Sequence, residues 1–404
     1  MAQYQHPAAH PIDPNHRANG REPMPNQLRA LILGSGYAGE GHTLALRRAG
    51  VDVIAIAGRT ATAVEAAAQR LEIPQTGTDY RQMLADLRPD IVAVGTPGGA
   101  HLEQCLAAIE AGCHVLCDKP LATTATAARQ IYLAAQSKGV KTAYAASYRY
   151  QPQALYAREL VRSGAIGPVW EVECISHYNW PRLMPFGWPH RLDQGGGRLN
   201  NNFTHKLSIV QHVVGGEILA AMGETRNDLK RVPIGERIHD FREYNRRAFS
   251  AEEAAHRDWA EVDSDWSYTV LVRIGERGTG SENAVSATFR HSALPFGKNK
   301  DYIAFYGAEG VLHIDGAYAQ GAISLRTSGD TWDELPVPER IRAALPPEPD
   351  HSQRNWDQLA REFVADIRGE GDTSYQTFRD GWIYQEVIDI ARSGQGWSAV
   401  ATDL

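Results

Sequence analysis

Residues 28–57 read LRALILGSGYAGEGHTLALRRAGVDVIAIA. Leu28–Leu33 is a short apolar run, GSGYAG follows, and a helical apolar spacing runs through Leu44 and Leu46 to Gly50. Val51–Ala57 is a second apolar run, too short and too β-branched for a helix. Strand, glycine turn, helix and buried strand within about 30 residues predict the first unit of a parallel sheet. Gly34, Gly36 and Gly39 form G-x-G-x-x-G. In such a turn the first glycine makes the tight bend, the second lets the backbone approach a pyrophosphate, and the third lets helix and strand pack closely. The N–H groups at the helix start then face the anion. The turn therefore predicts a dinucleotide held by Gly34, Gly36, Tyr37, Ala38 and Gly39.

The tip of the second strand bears on which dinucleotide. An acidic residue there would accept from the ribose 2′-OH and repel a 2′-phosphate. This chain has Gly58-Arg59-Thr60. A guanidinium can clamp a phosphate, so Arg59 favours NADP(H) over NAD(H). Stacking of Arg59 on the adenine alone would fit either.

Working outward, helical and buried-strand patterns alternate. Helices are expected at Thr62–Leu71, Arg81–Leu87, Leu102–Ala111 and Thr124–Ser137, and strands at Ile91–Val94, His114–Cys117 and Thr142–Ala146. Continuous apolar strands between helices mean a parallel sheet covered on both faces. A doubly wound Rossmann domain is expected over 28–150. Residues 151–404 are expected as a second α/β domain. After a helix at Ala154–Ser163, strand patterns at Val169–Asn179, Trp266–Ile274, Ala284–His291, Tyr302–Phe305, Val311–Ile314 and Ile323–Arg326 mostly lack intervening helices. They predict an open, mostly antiparallel sheet. Charge-dense Thr225–Asp265 reads as a solvated excursion, with a helix near Ser250–Trp259 opened by a Ser250/Glu253 capping box. Proline-rich Leu335–Asp350 reads as a linker, and helices close the chain at Asn355–Arg368 and Thr377–Ser393.

The 404 residues carry 41 basic and 48 acidic side chains, a net charge of −7. No basic run offers a polyanion site, which argues against nucleic acid. No apolar stretch is long enough to span a bilayer. Residues 1–27 lack the order of a signal peptide and read as a flexible extension. The thiols Cys105, Cys113, Cys117 and Cys174 are too few for a disulfide scaffold and suggest a reducing cytoplasm. Near His101 they lack paired C-x-x-C spacing, so packing is the better reading than a metal.

Further segments share a pattern. Thr96-Pro97, with His101 after it, ends one strand, and Asp118-Lys119-Pro120 ends the next. Gly195-Gly196-Gly197 precedes a helix carrying His205. With the glycine turn, Ile166–Val169, Tyr306–Gly310 and Ala391–Gly394, these resemble the Gfo/Idh/MocA family of nicotinamide-dependent oxidoreductases, over nearly the whole chain from Leu28. The resemblance implies hydride transfer to or from a sugar, polyol or related compound, and a homodimer or homotetramer. It places Thr96, Pro97, His101, Asp118 and Lys119 at the cofactor, with Lys119 relaying a proton and Pro120 often cis. His205 matches the family histidine. The family aspartate four residues earlier is Asn201 here, and the later one is Ser208. Asn201 shares a helix face with His205 and can hydrogen-bond a hydroxyl, but it cannot take a proton. Proton transfer then falls on Lys119 or His205. Loss of that carboxylate keeps two alternatives open: a redox-neutral lyase or hydrolase that recycles a tightly held NAD(P), or a non-catalytic dinucleotide-binding regulator.

Aromatic faces stack on the C–H faces of sugars, while His and Arg supply donors. Tyr178, Trp180, Trp188, His190 and Arg191, in the loop before the glycine run, are candidates for a carbohydrate-like substrate. Tyr148 and Arg149 follow the last strand of the first domain and should face the same cleft.

Overall fold

The computed structural model describes residues 27–401, except 237, 239, 241–242, 245–246, 279–282, 295–300 and 372–373. The expected N-terminal extension lies almost wholly outside the described residues. From the first residue of β1 the chain runs β1 (Arg29–Leu33), α1 (Tyr37–Arg48), β2 (Asp52–Ala57), α2 (Ala61–Leu71), β3 (Gln75–Gly77) and α3 (Tyr80–Leu87). It continues through β4 (Ile91–Val94), α4 (His101–Glu110), β5 (His114–Cys117), α5 (Ala125–Lys138) and β6 (Thr142–Tyr144). The six strands pair in parallel in the order β3-β2-β1-β4-β5-β6. Leu31, Ile32, Ile91 and Val92 have no solvent exposure, as strands covered on both faces require. The order reverses between β1 and β4, so a crevice opens beyond their carboxyl ends.

The second part continues with α6 (Pro152–Arg162), β7 (Val169–His177), α7 (Thr204–Val214) and β8 (Glu217–Arg226). Then come β9 (Arg231–Pro233), α8 (Ala251–Ala255), β10 (Trp259–Glu261), β11 (Ser267–Gly275), β12 (Val285–Ser292) and β13 (Asp301–Gly307). Last are β14 (Val311–Asp315), β15 (Ile323–Arg326), β16 (Asp333–Glu334), α9 (Glu339–Ala344), α10 (His351–Ile367), α11 (Phe378–Ser393) and β17 (Ser398–Ala399). A nine-stranded sheet has the order β16-β15-β14-β13-β7-β12-β11-β8-β17. Its pairs are antiparallel except β7 with β12.

Three features depart from expectation. Trp356, Leu359 and Phe363 of α10 share a core with Ile32, Leu46 and Ile56, so α10 covers the first sheet although it comes from the far end of the chain. A Cβ on Gly41 of α1 would lie 2.1 Å from the Trp356 ring, so a small residue lets these helices meet. The 225–265 segment is not simply solvated. Its β9–β10 ribbon closes a small core of Met184, Leu229, Val232, Val262 and Trp266 beside the loop after β7. Its capping box forms, with Ser250 Oγ accepting from Glu253 N and Ser250 N donating to Glu253 Oε2, but α8 is shorter than expected. Finally, the proline-rich crossing contains the short helix α9.

Candidate active site

A cleft of about 1740 Å³ lies at the carboxyl ends of β1, β4 and β5, between the two sheets. Its dinucleotide half begins at the glycine turn. Gly34 has φ +113°, and a Cβ there would lie 2.7 Å from Gly95 O. On Gly39 a Cβ would meet Gly34 O at 1.9 Å, so this glycine serves helix–strand packing rather than lining. Gly34, Gly36, Tyr37, Ala38, Arg59, Thr96, Pro97, Asp118 and Lys119 line the cleft. The turn thus leaves room for a pyrophosphate against backbone N–H groups at the start of α1, and Arg59 stands exposed at the tip of β2.

His101 lies behind this surface. It is fully buried, and its two ring nitrogens lie 2.7 Å from Thr96 O and Pro120 O. It holds two loops that line the cleft rather than lining it, which corrects its expected place at the cofactor. Burial lowers its pKa against the pull of those carbonyls.

Asp118 also points inward. Its Oδ1 accepts from Lys119 N at 2.7 Å, and its Oδ2 lies 3.1 Å from His42 Nε2. Burial favours the neutral acid, but Lys119 and His42 prevail and hold the carboxyl far below its usual range. The Lys119–Pro120 peptide is cis. Lys119 Nζ sits 3.9 Å from Asp118 Oδ1 and 3.5 Å from Asn201 Oδ1. Burial depresses the lysine pKa, Asp118 opposes this, and Arg198 adds to the depression. This ammonium therefore gives up its proton more readily than a surface lysine would.

Asn201 does not lie in a regular α-helix. A π turn spans Leu199–Phe203 and leads into α7. The asparagine run explains the local widening, because such side chains compete for backbone partners. Asn200 Nδ2 donates to Gly196 O at 2.9 Å. Asn201 Nδ2 donates to Gly195 O at 3.0 Å and to Gly197 O at 2.9 Å. Two carbonyl acceptors fix the amide orientation, so Oδ1 is the atom turned to Lys119. A carboxylate at this position would have no proton to offer them.

His205 reaches the cleft, with its ring 4.5 Å from that of Tyr148 and 6.0 Å from that of Tyr318. Its Nδ1 is buried without a partner. Burial, helped by Lys119, pushes its pKa down to about 3. The imidazole is thus neutral near pH 7, and of the two proton carriers foreseen, Lys119 is the better placed.

The π turn is anchored by Asp265. Its Oδ2 accepts from Leu199 N at 2.8 Å and its Oδ1 from Arg392 Nη2 at 2.8 Å. Asp265→Ala would strand the Arg392 cation and is expected to cost about 3–5 kcal/mol in chemical denaturation. A loss under 1 kcal/mol would refute this anchoring role.

Tyr148, Tyr178, Trp180, Trp188 and Arg191 line the substrate half, and Arg191 pairs with Asp193 at 2.5 Å. Arg149 and His190 do not line it. Arg149 Nη2 lies 2.6 Å from His212 Nδ1, and His190 is buried, stacked near Phe186 and Trp266. Both sit in 3₁₀ turns, where neighbouring residues point about 120° apart. Tyr148 and Trp188 face the cleft, so Arg149 and His190 turn away.

Burial pushes the His190 pKa down to about 4. The unfolded chain, with a histidine pKa near 6.5, binds more protons than the fold between those values. Stability is full above about pH 6.5 and is lost as pH falls towards 4, by roughly 3 kcal/mol for this group. His190→Phe should flatten the pH dependence of thermal unfolding in that window. An unchanged slope would contradict the assignment.

Sequence reading missed Arg198, Tyr318, His351 and Trp356, which also line the cleft. Arg198 abuts the glycine run and had a local signal. The others arrive from distant segments. Ile238 and Tyr244 bring the 225–265 segment to the same wall.

A glycine turn at a sheet switch point, a lysine–asparagine pair and a neutral histidine thus meet in one cleft. Two family models match: the oxidoreductase family with an NAD-binding Rossmann fold over residues 28–146, and the GFO/IDH/MocA C-terminal domain over residues 154–313. The chain belongs to the Gfo/Idh/MocA oxidoreductase family. It is 28% identical over 202 residues to levoglucosan dehydrogenase of Pseudarthrobacter phenanthrenivorans, covering 46% of this chain and 51% of the relative. It is 28% identical over 232 residues to D-glucoside 3-dehydrogenase of Escherichia coli K12, covering 56% and 65%. The matches thus span between half and two thirds of these curated relatives. A solved structure of levoglucosan dehydrogenase with NADH and L-sorbose superposes with a TM-score of 0.76 at 20% identity, covering 93% of this chain and 99% of that one. An oxidoreductase domain protein from Kribbella flavida superposes at 0.75 with 25% identity, covering 93% and 99%.

Proposed function

We propose that this protein is an NAD(P)-dependent oxidoreductase acting on a hydroxyl or carbonyl group of a sugar or related polyol. The observation that carries the reading is Lys119 Nζ, held between Asn201 Oδ1 and Asp118 Oδ1 where the two halves of the cleft meet. The dehydrogenase and reductase names of the curated relatives support the substrate class.

When bound, the nicotinamide supplies or accepts the hydride. The protein handles the proton. In the oxidative direction neutral Lys119 takes the hydroxyl proton at Nζ, and in reduction the ammonium returns it to the nascent alkoxide. Asn201 orients Nζ through Oδ1 while its amide hydrogens stay on the glycine loop. Tyr148, Trp180 and Trp188 offer faces and edges to the sugar ring, and neutral His205 offers one nitrogen to a hydroxyl.

Arg59 supports NADP(H) as the preferred cofactor, because the tip of β2 reads Gly58-Arg59-Thr60, with a guanidinium that lines the cleft and no acidic residue in that triplet. Arg59→Asp is expected to reduce the NADPH-over-NADH affinity ratio roughly 100-fold, by loss of a charge-assisted contact and gain of a repulsion. Energy transfer from tryptophan to the reduced cofactor measures it. An unchanged ratio would contradict the assignment. The activity itself is tested by absorbance at 340 nm with both cofactors over a panel of sugars, polyols and their keto forms. Cofactor binding without turnover across the panel would overturn the oxidoreductase reading.

A further inference from the structure

Among the described residues, no anion pairs with the Arg198 side chain. Its residue is 8% exposed, it lines the cleft, and its guanidinium lies 4.7 Å over the Trp180 ring and 6.0 Å from that of Trp266. Nε is buried with no partner, and among the described residues no side-chain acceptor or carboxylate pairs with the guanidinium. Asp265 takes the Arg198 backbone N–H on its carbonyl and commits its carboxylate to Leu199 N and Arg392. Among the described residues, the carboxylates lining the cleft are Glu103 and Asp118, on the dinucleotide side. Asp118 is already engaged by His42 and Lys119.

A buried cation without a counter-charge is unfavourable, and a tryptophan face compensates only in part. Stacking also leaves the in-plane N–H donors as the open edge of the group. Such an edge matches a coplanar carboxylate through parallel N–H···O bonds. A phosphate dianion would call for further cations or a row of backbone N–H groups, and Arg191, the other arginine of this half, is paired with Asp193.

We propose that the substrate is an acidic sugar whose carboxylate binds Arg198 while one of its hydroxyls reaches Lys119. This rests on the oxidoreductase reading and narrows its substrate class. It makes Arg198 the residue that separates acidic from neutral sugars.

The test uses matched pairs, D-glucuronate with D-glucose and D-galacturonate with D-galactose, together with D-glucose 6-phosphate. Turnover is followed at 340 nm, and binding to the cofactor-loaded protein by calorimetry. Wild type is expected to favour the acid in at least one pair by 30- to 100-fold, the scale of a desolvated charge-assisted contact. Arg198→Met should bring that ratio near unity. Arg198→Lys, which keeps the charge without the planar fork, should fall between. Tryptophan-to-cofactor energy transfer reports whether each variant is folded. Equal or weaker handling of the acids in every pair, an unchanged ratio in folded Arg198→Met, or preference for the phosphate overturns the proposal. Neutral sugars turned over without acid preference would overturn it and leave the oxidoreductase reading intact. Acids bound through Arg198 but turned over with neither cofactor would confirm the carboxylate contact and overturn the substrate role.

Discussion

Lys119→Met is expected to lower kcat by roughly 10²- to 10⁴-fold, the range of a positioned acid–base group. Methionine keeps the length and apolar stem of lysine but carries no proton. Asp118 keeps its bonds to His42 and to the backbone of residue 119, so the strand end stays ordered. The loss should therefore fall on kcat far more than on cofactor affinity, and steady-state kinetics beside a cofactor titration would separate the two. A kcat within threefold of wild type would remove Lys119 from the chemistry.

Asn201→Asp restores the carboxylate that the family resemblance leads one to expect, and it should impair this protein. The new charge would lie where Oδ1 now sits, 3.5 Å from Lys119 Nζ. An anion so close favours the ammonium and raises the lysine pKa by about 1–3 units. Oxidation needs neutral lysine, so the rising limb of its pH–rate profile should move to higher pH. On the rising limb the rate should fall roughly 10- to 1000-fold and recover in alkali. The carboxylate would also face Gly195 O and Gly197 O without the amide donors that now bind them. That costs about 1–3 kcal/mol in denaturant unfolding. An unmoved pH profile would show that Asn201 does not set the state of Lys119.

Much of this site was legible from residue order alone. Ile91–Val94 and His114–Cys117 are apolar on every residue but one, which only strands covered on both faces tolerate, and their ends place Thr96 and Lys119 at the crevice. Gly34 and Gly39 declare themselves because no side chain fits there. What stayed hidden depends on contacts between distant segments. Strand β3, Gln75-Thr76-Gly77, is a polar edge that borrows its order from β2. Strand β8 buries only Ile218 and Ala221, too sparse an alternation to read. Direction within a tight turn was equally hidden: Tyr148 and Arg149 are adjacent, yet one faces the cleft and the other His212. Trp356 enters from α10, and nothing near its own position says that it meets α1. Arg198 could have been noticed beside the glycines, but that Asp265 is engaged elsewhere appears only in the fold.

Hydride transfer between a sugar carbon and a nicotinamide in this cleft would leave an isotopic trace. The wild-type protein, oxidised cofactor and perdeuterated members of the sugar pairs are mixed, and the reduced cofactor is analysed by mass spectrometry. One deuterium on the nicotinamide ring is expected for each sugar oxidised, and none with Lys119→Met on the same timescale. Cofactor that binds but acquires no label from any sugar, neutral or acidic, would contradict it.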